Sequence, residues 1–358
     1  MHSLIKHFRI AGLSISTGSI RRNFITDGQA QGVPLAQLER VAKTIGLRDR
    51  LVAAPSVTAL DLCEDATRRL LNEMNLDASS IDAVIFVTQT PDHSQPNNAS
   101  LLHGRLGLSK SAFAFDIALG CSGWVTGLHQ AALLCAHGGA GRVLLCAGDT
   151  LSRLTNSKDR AADPLFGDAG SATIVERTGQ NMAMHFILGA DGKSAQSIIV
   201  PAGGARQPAS EFTHVEKPDS SGNLHHAENL HMDGADVFNF SLREIPTAIQ
   251  TVMRHAGYVA DSTDALILHQ ANKFIVDSVA QKVGFTRAQA PSGIVEKFGN
   301  QSSASIPCAI IDALGEVLTE KSLKLVGCGF GVGLSWAAFA GEVGPLTVVP
   351  ILPYPRTA

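Results

Sequence analysis

The chain has 358 residues (37.6 kDa), of which 45% are apolar and only 17% charged. Disorder needs the opposite balance, and at about 100 to 200 residues per domain the length allows roughly two domains or one large one. A net charge of -3 and a pI of about 6.5 leave no positive field to neutralise a phosphate backbone, which removes nucleic acid as the default partner and favours a small or carrier-borne substrate.

Residues 1–18 carry Lys6 and Arg9, and no apolar run of signal-peptide length follows them. Six cysteines, at 63, 121, 135, 146, 308 and 328, form no C-x-x-C pair and stand beside no clustered histidines at zinc spacing. The usage predicts a reduced, cytoplasmic chain without a bound metal, most of its thiols being buried small hydrophobes.

Residues 61–76 form a helical pattern with Leu62, Ala66, Leu70 and Leu71 on one face, followed by a polar turn and an apolar strand over 81–87. A helix over 98–106 ends at Gly107-Leu108, and the turn Gly120-Cys121-Ser122-Gly123 opens a long helix before a strand over 142–148. Residues 117–141 lack Asp, Glu, Lys and Arg over about the length a bilayer needs. They also hold Gln130, two His and six Gly, so a helix buried within a soluble core is the better reading.

The pattern then recurs. A helix over 242–258, a polar turn and a strand over 264–268 repeat the first unit, with Asp264-Ala265-Leu266-Ile267 answering Asp82-Ala83-Val84-Ile85. A helix over 274–283 ends at Gly284-Phe285; Gly299-Asn300-Gln301-Ser302 precedes a helix over 305–318, and a strand covers 324–329. The offset is about 180 residues, the signature of an internal duplication. Two halves, 1–179 and 180–358, are therefore expected, with a loop rich in Ser, Gly, His and Asp inserted over about 207–233 as a lid, tunnel wall or plain surface insertion. Continuous apolar strands between helices imply strands buried on both faces, hence mostly parallel sheets in alternating layers with helices.

The duplication also points to a site. Cys121 and Asn300 occupy equivalent Gly-preceded turns, and His269 ends the strand 264–268, where ligands gather in open α/β sheets. Cys121 sits where a helix N-terminus favours an anion, which is expected to lower its thiol pKa and make it nucleophilic. Taken singly, Cys121 reads equally as a buried thiol, His269 as a core histidine and Asn300 as a helix cap; their convergence favours chemistry. The glycines of 327–333 (G-C-G-F-G-V-G) alternate and lead into a strand over 334–340, which suits a backbone turn aimed at an oxyanion better than a dinucleotide loop.

Five ordered motifs resemble the thiolase superfamily and, within it, the ketoacyl synthase III condensing enzymes. They are 116–123 (D-I-A-L-G-C-S-G), 166–172 (F-G-D-A-G-S-A), 269–272 (H-Q-A-N), 299–305 (G-N-Q-S-S-A-S) and 329–333 (G-F-G-V-G). The resemblance implies a five-layered αβαβα thiolase fold and a homodimer. It implies Cys121 as the acyl-accepting nucleophile, His269 and Asn300 as hydrogen-bond partners of a malonyl thioester carbonyl, and backbone N–H groups of Cys121 and Val332 as the oxyanion hole. Arg160 resembles a residue meeting the CoA nucleotide, Phe166 a wall of the acyl tunnel, and Gly234, Phe238 and Asn272 the lining of the pantetheine channel. No cofactor is implied beyond CoA or acyl-carrier-protein thioesters as substrates.

The departures concern substrate choice. Arg40 and Thr44 stand where family members that prime with acetyl-CoA carry a Trp and an Arg, so a carrier-protein donor or an unusual acyl-CoA is expected. Gln95 replaces a common aromatic closing the acyl pocket across the dimer, which implies a longer or more polar acyl group. Phe274 replaces a carrier-binding Arg, leaving Lys273 and Lys282 for a carrier's acidic face. A thiolase would need a second catalytic cysteine at Phe330, and hydroxymethylglutaryl synthase a glutamate base in the first half. A non-catalytic partner subunit would commonly lack the nucleophile. The remaining alternative is an acyltransferase passing the Cys121-bound acyl group to an alcohol or amine.

Overall fold

The computed structural model describes residues 1–219 and 222–355. Apolar runs such as Ala83–Val87 (AVIFV) are buried along their whole length and build two mixed sheets. The first runs in the order Thr347–Val348, Phe8–Thr17, Ala169–Arg177, Arg142–Asp149, Ala83–Val87, Phe113–Ile117, with Leu352–Pro353 also on Phe8–Thr17. The second runs His2–Lys6, Ala183–Ala190, Ser335–Val343, Leu323–Gly331, Ala265–Leu268.

The repeat is visible in both. Ala83–Val87 beside Arg142–Asp149 in one sheet matches Ala265–Leu268 beside Leu323–Gly331 in the other, each pair parallel. The expectation of mostly parallel sheets is corrected. Arg142–Asp149 pairs antiparallel with Ala169–Arg177, and Leu323–Gly331 antiparallel with Ser335–Val343. The latter two strands are joined by residues 332–334, too short for the crossover a parallel pair requires. A buried strand reads as a continuous apolar run in either direction, so the pattern carries no sign of orientation.

Helices Gly123–Ala136 and Ser305–Glu320 lie between the sheets, where Trp124, Val125, Leu128, Ile306, Ala309 and Ile310 share one core with the strands' inner faces. Gly123–Ala136 is apolar nearly all round because both sheets cover it; no helix among the described residues is long and apolar enough to cross a membrane. The outer face of the first sheet is covered by Ala59–Glu73 and Asn98–Leu106. Gly234–Ala256 and Lys273–Lys282 cover the second. This gives five layers, α-β-α-β-α, as expected.

Helix starts follow local chemistry. Thr58 and Asp61 form a reciprocal capping box for Ala59–Glu73, and the Asp233 carboxylate accepts from Asp236 N to open Gly234–Ala256. That second cap starts the helix eight residues before the expected 242, in a stretch with too little apolar periodicity to betray it. The insertion at 207–233 is not wholly irregular: Lys217–Pro218 pairs with Leu224–His225, and His231–Met232 with Ile198–Ile199. Its Leu230 packs with Leu165, Phe166 and Val295, so the end of the segment is built into the core.

Candidate active site

Strand Phe113–Ile117 runs into a tight turn, closed by Gly123 N donating to Gly120 O at 2.7 Å, that sets Cys121 just before helix Gly123–Ala136. The glycine-rich strand Leu323–Gly331 passes directly over this turn. A β-carbon on Gly331 would lie 2.8 Å from Cys121 Sγ, and one on Gly329 would collide with the Cys121 carbonyl. The alternating glycines therefore let one backbone approach another. Cys121 and Val332 line the same cavity, and their backbone N–H groups favour the charged form of the sulfur, the pair expected to form an oxyanion hole. Alanine at Gly331 is expected to displace the thiol and slow acylation about 100-fold, as misplacements of about 1 Å do. Rapid-quench measurement of the acyl-enzyme burst checks this, with the thermal midpoint as a folding control.

Lowering of the Cys121 pKa is not what the structure supports. Burial, and then the Asp149 carboxylate, push the thiol up to about 12, against opposing hydrogen bonds from Ser302 and the two backbone N–H groups. Desolvation disfavours the thiolate and is the largest of these influences. The resting thiol is protonated at neutral pH, and the thiolate fraction grows about tenfold per pH unit below the pKa. Alkylation of the free enzyme by iodoacetamide is thus expected to climb steadily from pH 7 to 10. A plateau below pH 8 would show that the helix terminus dominates.

His269 follows strand Ala265–Leu268, its backbone N donating to Cys328 O at 2.9 Å. Its Nδ1 lies 2.7 Å from Ser305 Oγ, and burial lowers its pKa to about 3, so the ring is neutral at working pH. The tautomer in which Nδ1 accepts from the Ser305 hydroxyl carries its proton on Nε2, and in that form the ring can donate to a substrate carbonyl.

The turn at Asn300 is held from outside. Asn300 N donates to Leu165 O at 2.7 Å and Gly167 N to Asn300 O at 3.0 Å, across a Phe166–Asn300 bridge. Gly299, at φ +79°, sits so close to Gly167 that a β-carbon would lie 2.8 Å from its nitrogen. Asn300 Oδ1 accepts from Ser302 N at 2.9 Å, the cap-like bond, which leaves its amide N–H groups for another partner.

Cys121, His269 and Asn300 line one cavity, with Phe166, Gly234 and Asn272 also on its wall. Other site expectations fall elsewhere. Phe238 lies outside this cavity, its ring stacked on that of the exposed Phe274 at 5.3 Å. Arg160 lines a separate cavity with Arg50, Asp163 and Asn223. Lys273 borders a surface groove with Lys43, whereas Lys282 Nζ donates to Leu242 O at 2.9 Å. Gln95 stands exposed on the loop before helix Asn98–Leu106. Cys328 belongs to the core beneath the outer helices, and its thiol is pushed far up by burial. Among the described residues no group of His, Cys, Asp and Glu is placed to hold a metal.

Four residues escaped the sequence reading. Ser305 orients His269, and Ser302 Oγ lies 3.9 Å from Cys121 Sγ. Gln89 is a polar group in the cavity wall. Asp149, fully buried, accepts from Gln89 N (2.7 Å), Thr88 Oγ1 (3.2 Å), Ser303 Oγ (2.7 Å) and Ser303 N (3.2 Å), clasping the turn after Asn300 to the first sheet. Its only sequence signal is a carboxylate ending a buried strand.

The family model described as 3-oxoacyl-[acyl-carrier-protein] synthase III matches residues 115–192, and that of its C-terminal part residues 253–343. A beta-ketoacyl-[acyl-carrier-protein] synthase III from Caldanaerobacter subterraneus is 33% identical, over 92% of this chain and 97% of the relative. Another, from Symbiobacterium thermophilum, is 34% identical over 84% and 88%. This chain belongs to the 3-oxoacyl-[acyl-carrier-protein] synthase III family. The solved structure of a 3-oxoacyl-(acyl-carrier protein) synthase from Burkholderia xenovorans LB400 superposes with a TM-score of 0.92 at 38% identity, covering 99% of each chain. The synthase III fold is thus shared from end to end, and the five layers are those of the thiolase fold.

Proposed function

We propose that the protein is a β-ketoacyl-[acyl-carrier-protein] synthase III acting in two steps on Cys121. In the first, Cys121 Sγ attacks an acyl thioester, the donor thiol leaves, and the acyl group stays on Cys121. In the second, a malonyl thioester, carried by acyl-carrier-protein, binds with its carbonyl toward His269 Nε2 and Asn300 Nδ2. Loss of carbon dioxide leaves an enolate held by those two donors; its carbon attacks the acyl carbonyl. The resulting oxyanion is stabilised by backbone N–H groups of Cys121 and Val332, and collapse expels the sulfur. The thiolate regains a proton and a β-ketoacyl thioester departs. One observation carries this reading: the nucleophile, two neutral hydrogen-bond donors and two backbone N–H groups meet in one cavity.

The finer reading is a cytoplasmic homodimer that needs no cofactor. Gly234 and Asn272 line the pantetheine path, Arg160 lies along the nucleotide end, and a carrier's acidic face meets Lys273 and Lys282. Arg40 and Thr44, in place of an adenine clasp, favour a carrier-borne or unusual donor, and Gln95 faces the partner's acyl pocket.

Intact-mass measurement with a panel of acyl-CoAs and acyl-carrier-proteins, followed by malonyl-carrier, tests the reading. The expected result is a mass gain from one donor and its discharge as a β-ketoacyl product. No adduct from any donor refutes it, and discharge only by an alcohol or amine assigns an acyltransferase instead.

A further inference from the structure

The wall of the Cys121 cavity is apolar along Leu151, Leu165, Phe166, Leu230 and Met232, and Gln89 interrupts it with a carboxamide. Three contacts fix where that carboxamide sits. Its backbone N donates to the buried Asp149 at 2.7 Å, at the end of strand Ala83–Val87. The side chain lies flat on Gly120, where a β-carbon would collide with Oε1. Ser302 Oγ, 3.9 Å from Cys121 Sγ, lies 3.5 Å from Gln89 Oε1 on the donating side. Gln89 is therefore held one hydroxyl away from the nucleophile. With Oε1 facing Ser302, Nε2 has no acceptor among the described residues and is left to donate to an oxygen of a ligand in the cavity.

We infer that Gln89 sets the acyl choice of this enzyme by donating from Nε2 to an oxygen on the third or fourth carbon of the Cys121-bound acyl group, so that the preferred donor is a short oxygenated acyl thioester rather than a plain alkanoyl one. The carboxamide lies within two contacts of the sulfur, the reach of an acyl chain's first few carbons. The inference rests on the two-step reading above and adds the class of acyl group.

The test compares 3-hydroxybutyryl-CoA with butyryl-CoA, and the same pair on acyl-carrier-protein, by the rate of mass gain on the enzyme. The wild type is expected to favour the hydroxylated donor about tenfold, the selectivity one neutral hydrogen bond confers. Gln89→Leu, of similar size, is expected to bring the ratio near one. Gln89→Met, likewise of similar length and without a donor, is expected to do the same. Should either variant fail to fold, by circular dichroism, the other still reads the ratio. Equal rates for the two donors in the wild type, or an unchanged ratio in a folded variant, overturn the role of Gln89 while leaving the condensing reading intact. No adduct from any donor overturns both.

Discussion

Alanine at position 121 is expected to abolish the acyl adduct and to lower condensation by more than about 10³-fold, because no other thiol can stand in for it. Cys63, Cys135, Cys146, Cys308 and Cys328 are all buried, and none lines the cavity. The same variant keeps His269, Asn300 and their supports, so slow carbon dioxide release from malonyl-carrier should persist. Intact mass and carbon dioxide release, run on one preparation, separate the two half-reactions. A persistent adduct in Cys121→Ala would move the nucleophile elsewhere.

The second large effect lies on the other side of the cavity. His269→Ala and Asn300→Ala are each expected to slow decarboxylation about 10²- to 10³-fold, the loss usual when one donor to a developing oxyanion is removed. Acylation of Cys121 should change far less, since its oxyanion meets backbone N–H groups of Cys121 and Val332. Because His269 is neutral down to about pH 3, no acid limb from its titration is expected in the decarboxylation rate between pH 5 and 8. Single-turnover measurement of each half-reaction decides; slower acylation with unaltered decarboxylation would refute the assigned roles.

Much of this was legible in the sequence, for identifiable reasons. The duplication survives as hydrophobic periodicity, and equivalent turns in two halves mark Cys121 and Asn300 as candidates. His269 stood out as a polar residue ending an apolar strand. The residues that stayed hidden work through partners distant in sequence. Asp149 matters because Thr88, Gln89 and Ser303 end beside it, and Gln89 because Gly120 and Ser302 fix its side chain. Local patterns record neither juxtaposition. The thiol's raised pKa stays hidden for a similar reason: a helix start is visible in sequence, whereas burial beneath Gly331 and the Asp149 charge are three-dimensional facts.

The two ends of the chain trade places. His2–Lys6 lies in the sheet built mainly from the second half, and Thr347–Val348 and Leu352–Pro353 close on Phe8–Thr17 in the sheet of the first. On a ribosome, the strand Phe8–Thr17 emerges more than 300 residues before the segments that pair with it at 347–348 and 352–353. Such remote pairing makes folding slow and leaves an unpaired strand edge exposed meanwhile. Neither half is a portable module: each carries a strand that completes the other. Fragments cut near the midpoint should therefore recover activity only when mixed, by exchanging their terminal strands.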